Sequence, residues 1–207
     1  MATVKDWVKS VNLMLVDPPK DLHPVKVIEK LNRARDRATA IILNINPEVL
    51  GEKTTISVSE GDEYVDLSTN SIVPQNIIKV YDETNENEIL MADEIYNMFD
   101  TEGVVKYFYV LGARMYLMPI PEDDFTLAIY WAKPLVEFSS LTDTVSDKID
   151  VKNYCVAYAA YTLAATERDK LSTQFELQVA EQDLIKKLGT PLMGRNAKVK
   201  NIYQGLI

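Results

Sequence analysis

The spacing of apolar residues at the start of the chain predicts two amphipathic helices. Apolar side chains recur at three- and four-residue steps from Val4 to Leu15, and again from Pro24 to about Ile45. Thr3 is expected to cap the first helix, and Asp17-Pro18-Pro19 to end it. Because proline fits the first turn of a helix, Pro24 is a suitable start for the second.

The middle of the chain changes to the two-residue alternation of β-strands. Residues 54–58 and 64–67 alternate around a Glu60-Gly61-Asp62 turn, which predicts a hairpin between them. Short strands are also expected at 77–81 and 88–90.

Further along, the strongest hairpin is predicted between residues 106–111 and 114–118, which flank Gly112-Ala113. A short helix is expected before it at 92–99, and another strand after it at 125–131.

The helical period returns from Ile149 to Leu188 and predicts two consecutive helices. Asp169 is the expected N-cap of the second helix, and Gly189 is expected to end it. This second helix is predicted to bury one apolar stripe, made of Leu171, Phe175, Val179, Leu184, Ile185 and Leu188.

These elements predict an α+β fold with an antiparallel four-helix core, formed by the N- and C-terminal helix pairs. The expected divisions are N-terminal helices over 1–50, an inserted antiparallel β-rich region over 51–148, the C-terminal helical pair over 149–188, and an extended tail over 189–207.

Charge is distributed unevenly along the chain. The formal net charge is −9, and residues 82–102 contain eight acidic side chains and no basic ones. This balance argues against a free nucleic-acid-binding protein, since neutralising phosphates requires cations. The N-terminus has no apolar signal region, so secretion by that route is not expected.

Candidate catalytic and metal-binding residues are few. The one histidine, His23, precedes a proline at a helix start, which is typical of a capping or solvent-exposed position. The one cysteine, Cys155, lies on an apolar helix face and is interpreted as a core residue. The acidic loop beginning at Asp82 lacks the EF-hand spacing, so it is interpreted as a solvated loop, with weak cation binding as the alternative. No cofactor, metal site or enzymatic activity is predicted.

Two other groups of side chains are interpreted from their residue types and their positions on predicted elements. Tyr107, Tyr109 and Tyr116 alternate on predicted strands and are interpreted as part of a protein interface. A basic face on the second helix is interpreted as solvated or, alternatively, as facing an acidic neighbour in an oligomer; it comprises Lys26, Lys30, Arg33, Arg35 and Arg37.

The tail is basic but also apolar, which is unusual for a disordered terminus. After Gly189 it contains three basic residues and no acidic one. It is either a disordered end or a segment that orders by binding another protein through a strand or apolar anchors.

The order of elements resembles that of the bacteriophage head-to-tail adaptor proteins, also described as head-completion or tail tubular A-like proteins. The segments that carry the resemblance are GDEYVDL, IIKVYDE, YFYVLGARMYLMPIPEDDFTLAIYWAKP and YCVAYAAYTLAATERDK. It covers nearly the whole chain and includes no catalytic signature.

The resemblance implies a structural virion protein, made in the bacterial cytoplasm and located at the portal vertex. Such proteins form a ring, typically of twelve copies, which binds the portal, extends the DNA channel and provides the platform for the tail or a second adaptor. DNA is expected to pass through without specific binding. The resemblance further implies that the tail contacts the portal, through Arg195, Lys198, Lys200, Ile202, Tyr203, Leu206 and Ile207.

Three other functions remain open from the sequence. The chain could be a different neck or tail-completion protein that does not touch the portal. It could be a small hydrolase with acidic catalytic residues, or a nucleic-acid-binding module that uses the basic tail.

Overall fold

The computed structural model describes residues 2–16, 18–19, 22–92 and 101–189 of the chain. The four α-helices in these ranges are α1 (Val4–Met14), α2 (Pro24–Ile45), α3 (Lys152–Leu163) and α4 (Glu167–Leu188). The strands are β1 (Gly51–Val58), β2 (Tyr64–Asp66), β3 (Ile77–Asp82), β4 (Asn87–Met91), β5 (Glu102–Gly103), β6 (Tyr107–Leu111), β7 (Arg114–Met118), β8 (Ile120–Pro121) and β9 (Phe125–Ala132).

The chain divides into two compact units. We call residues 1–49 together with 134–207 the helical unit, and Leu50–Lys133 the sheet unit.

The ends of the N-terminal helices are set by local hydrogen bonds. Thr3 and Asp6 form a capping box at the start of α1. At the start of α2, the His23 side chain accepts a hydrogen bond from the backbone N–H of Val25, with Pro24 in the first turn. Both predicted helices, and the capping position of His23, are therefore confirmed.

Helix α3 is the centre of the helical unit. It packs against α1, α2 and α4, and its buried side chains lie on all sides of the helix. Small side chains allow the close approach; the buried residues are Tyr154, Cys155, Val156, Ala157, Ala159 and Ala160. Cys155 is fully buried, as predicted.

The predicted antiparallel four-helix core is wrong. The described residues instead form four helices and a large, mostly antiparallel and nearly closed sheet of seven strands, which has a hydrophobic core of its own. The apolar residues of α4 were assigned to one buried stripe, yet Leu184 and Leu188 are buried while Leu171 is 70% and Phe175 64% exposed. Phe175 and Leu184 are nine residues apart, which is two and a half helical turns, so they lie on opposite sides of α4.

One end of α4 differs from the prediction and the other agrees with it. The N-cap of α4 is Thr166, whose hydroxyl accepts a hydrogen bond from the N–H of Asp169, so Asp169 is inside the first turn. Its side chain is 1% exposed and accepts a hydrogen bond from the N–H of Val16 after α1. Gly189 ends α4 with a φ of 80°, as predicted.

The seven-stranded sheet has the order β1-β9-β3-β4-β6-β7-β2. Neighbouring strands are antiparallel except β4 and β6, which are parallel through Leu90↔Tyr107 and Met91↔Phe108. A separate pair joins β5 to β8. The predicted hairpin around Gly112-Ala113 is confirmed as β6 and β7.

The predicted hairpin between β1 and β2 is wrong. Strand β1 pairs with β9 along its whole length, from Gly51↔Ala132 to Val58↔Phe125, and β2 pairs with β7. The reason lies in β9, which is buried along almost its whole length and has β1 on one side and β3 on the other. A strand buried in this way satisfies its backbone polar groups only with a neighbour on each edge.

One face of this sheet carries the hydrophobic core of the sheet unit. The cluster of buried side chains in the sheet unit consists of Val58, Val65, Leu67, Ile72, Val80, Ile89, Val105, Phe108, Met115, Leu117, Phe125, Leu127, Ile129 and Trp131. Because side chains alternate along a strand, the residues between these core positions point to the opposite face.

Candidate interaction surfaces

The residues with reactive side chains are in structural roles. His23 is the N-cap of α2, and burial raises the pKa of the Cys155 thiol to about 12. In the described parts of the chain, no group of three or more His, Cys, Asp or Glu side chains is arranged to hold a metal ion.

The acidic loop after β3 is organised by the carboxylate of Asp82. This side chain is 1% exposed and accepts hydrogen bonds from the backbone N–H groups of Thr84 and Asn85, and from the side-chain amide of Asn85. Its acceptor capacity is therefore used in shaping the turn between β3 and β4. The predicted short helix at 92–99 lies outside the described residues, apart from its first position.

The tyrosines predicted to form an interface lie on the solvent-facing side of the sheet. The strand register places Tyr64, Tyr116 and Tyr109 side by side on β2, β7 and β6. The Tyr64 and Tyr116 ring centres are 5.7 Å apart, and the Arg114 guanidinium lies 4.4 Å from the centre of the Tyr64 ring.

A hydrogen bond with Tyr116 is the main reason that the pKa of Arg114 is raised above its ordinary value. Leu90 and Leu111 project from the same side and are 53% and 59% exposed. We call these six residues, together with Tyr107, the tyrosine face. Tyrosine, arginine and exposed leucine are the composition of a protein interface, which supports the interpretation made from the sequence.

Helix α4 carries a second exposed apolar surface, which the sequence analysis did not recognise. Leu171, Phe175 and Val179 follow one another at four-residue steps and are 70%, 64% and 48% exposed. A parallel row of exposed amides lies beside them, formed by Gln174, Gln178 and Gln182. We call these two rows the α4 outer face. The sequence contained a signal for this surface. Both rows repeat every four residues, and they lie on the side of α4 opposite its buried side chains.

An open groove of about 570 Å³ lies in the helical unit between α1, α3 and α4. Its apolar lining comes from Met14, Val156, Ala157, Val179 and Ala180. The rest of the lining is polar or charged: Ser10, Lys152, Asn153, Glu176, Gln182, Asp183 and Lys186. An apolar floor with a charged rim is the usual arrangement of a protein-binding site.

The formal charge of the two units differs strongly. Residues 50–133 contain sixteen acidic and five basic side chains, a net charge of −11, whereas the rest of the chain has a net charge of +2. The acidity of the chain therefore belongs to the sheet unit. Such a charge favours solubility and opposes close contact with phosphates or with other acidic surfaces.

The residues predicted to contact the portal cannot be placed. Arg195, Lys198, Lys200, Ile202, Tyr203, Leu206 and Ile207 all lie outside the described residues. Among the helices that the structure describes, none is long and apolar enough to cross a membrane.

Comparison with known protein families gives a match over most of the chain. The family model of the SU10 adaptor protein matches residues 2–197, nearly the whole chain. The search of curated proteins finds no match to this chain. The match agrees with the resemblance to phage head-to-tail adaptors and with a structural role in the virion neck, and it shows that the chain belongs to the SU10 adaptor protein family.

Proposed function

We propose that this chain assembles with further copies of itself into a ring on the portal vertex of the phage head. In this function the ring, of about twelve copies, extends the DNA channel and provides the platform for the tail or a second adaptor. The observation that carries the proposal is the family match over residues 2–197.

The distribution of charge supports this function. A channel through which DNA moves benefits from a surface that does not retain phosphates, and the sheet unit has a net charge of −11. The two exposed apolar surfaces, the tyrosine face and the α4 outer face, suit a protein with several partners. An adaptor needs at least two kinds of contact, one with its own copies and one with each neighbouring component.

The C-terminal segment 190–207 is the part we assign to portal binding. It has three basic and no acidic side chains, with apolar residues that can act as anchors. Arg195, Lys198 and Lys200 supply charge, and the apolar anchors are Ile202, Tyr203, Leu206 and Ile207. Each apolar side chain buried on a partner contributes on the order of 1–3 kcal/mol, and repetition around a ring adds avidity.

The experiment is a mass measurement by light scattering on the protein alone and after mixing with its cognate portal ring. We expect a complex whose mass corresponds to a ring of copies on the portal. Deletion of residues 190–207 is expected to leave a folded subunit that no longer docks. Docking of the truncated chain at the wild-type level would contradict the assignment of this segment, and a full-length chain indifferent to the portal would contradict the proposed function and favour another neck protein.

A further inference from the structure

Residues 139–146 lie against the start of α1, and we call them the flap. The first backbone N–H groups of an α-helix have no acceptor within the helix itself. In α1 the flap supplies two of the missing acceptors. The N–H of Val4 donates to the carbonyl of Asp143, and the N–H of Lys5 donates to the carbonyl of Leu141, both at 3.0 Å.

The pairing between the flap and the N-terminal residues also runs in the other direction. The N–H of Val145 donates to the carbonyl of Ala2 at 3.1 Å, and Thr3 lies opposite Thr144 in an antiparallel bridge. The start of α1 is therefore held from outside the helix, by backbone groups that are about 140 residues away along the chain.

Both ends of the flap are fixed to α2. Before the flap, Phe138 is 6% exposed, and its backbone N–H and C=O both bond to the side-chain amide of Asn32, at 2.8 and 2.9 Å. After the flap, the Asp147 carboxylate is held by the guanidinium of Arg35. Asn32 and Arg35 are three residues apart, so they lie on the same side of α2. A loop of this length with its ends held close together is a compact unit of structure.

The flap between these anchors is held by polar contacts. In residues 139–146, all of which the structure describes, no side chain is buried. The Asp143 carboxylate organises the flap by accepting hydrogen bonds from the N–H and hydroxyl groups of Ser139 and Ser140. A segment that buries no side chain opens at a small cost in free energy, whereas its anchors and the helical core do not.

We propose that the flap opens and closes as one unit on its two anchors, without unfolding of the helical core. Opening breaks the three backbone hydrogen bonds to the N-terminal residues together and uncovers the first N–H groups of α1. The helical unit thus has a closed and an open arrangement of its N-terminal end. This inference does not depend on the proposed function.

Native-state hydrogen exchange, followed by NMR at low denaturant concentrations, tests the opening. We expect the N–H groups of Val4, Lys5 and Val145 to share one opening free energy. Their protection should be at least about tenfold lower than that of Ala160 in the core of α3, and less dependent on denaturant, because the opening exposes little surface. Different opening free energies for these three groups, or the denaturant dependence of Ala160, would overturn the inference.

A variant of the flap separates local from global opening. Asp143→Ala removes the acceptor that organises the flap, so it should lower the protection of Val4 and Lys5 by about a further tenfold and that of Ala160 by less than twofold. Asp36→Ala is the matched control, because Asp36 is exposed on α2 outside the flap and its anchors. An equal fall in protection at Ala160 would show that the flap belongs to the cooperative core.

A disulfide can lock the flap closed. Thr3→Cys and Thr144→Cys place two thiols directly opposite one another in the bridge, at a separation that suits a disulfide. Oxidation of this double variant is expected to raise the protection of Val145 by more than that of Ala160, and reduction should reverse the difference. The oxidised and reduced forms share the loss of the Thr3 cap, so each is the control for the other. An equal rise at both positions would mean that the flap opens only when the whole protein unfolds.

Discussion

Arg35 of α2 and Asp147 form a buried, bidentate ion pair. The guanidinium Nη1 and Nη2 atoms donate to the two carboxylate oxygens at 2.6 and 2.7 Å, and Nε donates to the carbonyl of Val136 at 2.8 Å. The Arg35 guanidinium also lies 4.2 Å from the centre of the Phe138 ring. Arg35 is 2% exposed, so its place on a solvated face, as interpreted from the sequence, is wrong. Its contacts tie α2 to the segment that leads towards α3.

Arg35→Ala is expected to lower the free energy of unfolding by about 3 kcal/mol, because it leaves the Asp147 carboxylate, which is 11% exposed, without its partner. Denaturant unfolding followed by circular dichroism measures this change. Arg33→Ala is the control, since Arg33 is exposed and pairs with Glu29 on the surface of the same helix; a loss below about 0.5 kcal/mol is expected. Equal losses for both variants would contradict the buried pair.

The pairing of β1 with β9 includes a side-chain hydrogen bond. The indole N–H of Trp131 donates to the hydroxyl of Thr54 at 3.0 Å, and Trp131 is 4% exposed. Thr54→Val is expected to cost about 1–2 kcal/mol of stability, because it leaves a buried donor without its acceptor. Thr54→Ser retains the hydroxyl and is expected to cost less. A neutral Thr54→Val, measured by thermal unfolding, would contradict this pairing.

The two sides of α4 are expected to differ in their effect on folding. Leu184→Ala removes a side chain that is 2% exposed and is expected to cost about 2–5 kcal/mol. Phe175→Ala on the outer face is expected to change the stability of the free subunit by less than about 0.5 kcal/mol. If Phe175→Ala destabilises the monomer as much as Leu184→Ala, the outer face is not exposed in solution.

The thiol of Cys155 is expected to resist modification in the native protein. Because burial raises the pKa of this thiol from its ordinary value to about 12, the reactive thiolate is scarce at pH 8. Reaction with a coloured disulfide reagent should therefore become rapid only when the protein is unfolded. Rapid reaction at pH 8 without denaturant would contradict this burial.

The same shift predicts a loss of stability at alkaline pH. A folded-state pKa above the unfolded value means that the contribution of Cys155 is complete below about pH 9 and is lost as the pH rises towards 12. Burial likewise raises the pKa of Tyr154 to about 12. The melting temperature of the wild-type protein is expected to fall when the pH is raised from 7 to between 9 and 11. For Cys155→Ala this fall is expected to be smaller. An unchanged fall would assign the alkaline sensitivity to other groups.

Local sequence determined the elements whose signals are short in range. Pro24 and Gly189 fix helix ends through backbone geometry, and Gly112 supplies the positive φ of the turn between β6 and β7. The alternation in these strands also showed that Tyr109 and Tyr116 share a face. The resemblance to the adaptor proteins and the match to the SU10 family model likewise rest on the sequence.

Only the tertiary structure decided which elements meet. Strand β1 is followed directly by β2 along the chain, but it pairs with β9, because burial of β9 requires a neighbour on both edges. Arg35 looks like a surface cation until Asp147, 112 residues away, supplies its partner. Leu171 and Leu184 belong to one periodic pattern, but packing on α3 covers only one side of α4. Such outcomes depend on contacts between residues far apart in sequence, which a local pattern does not contain.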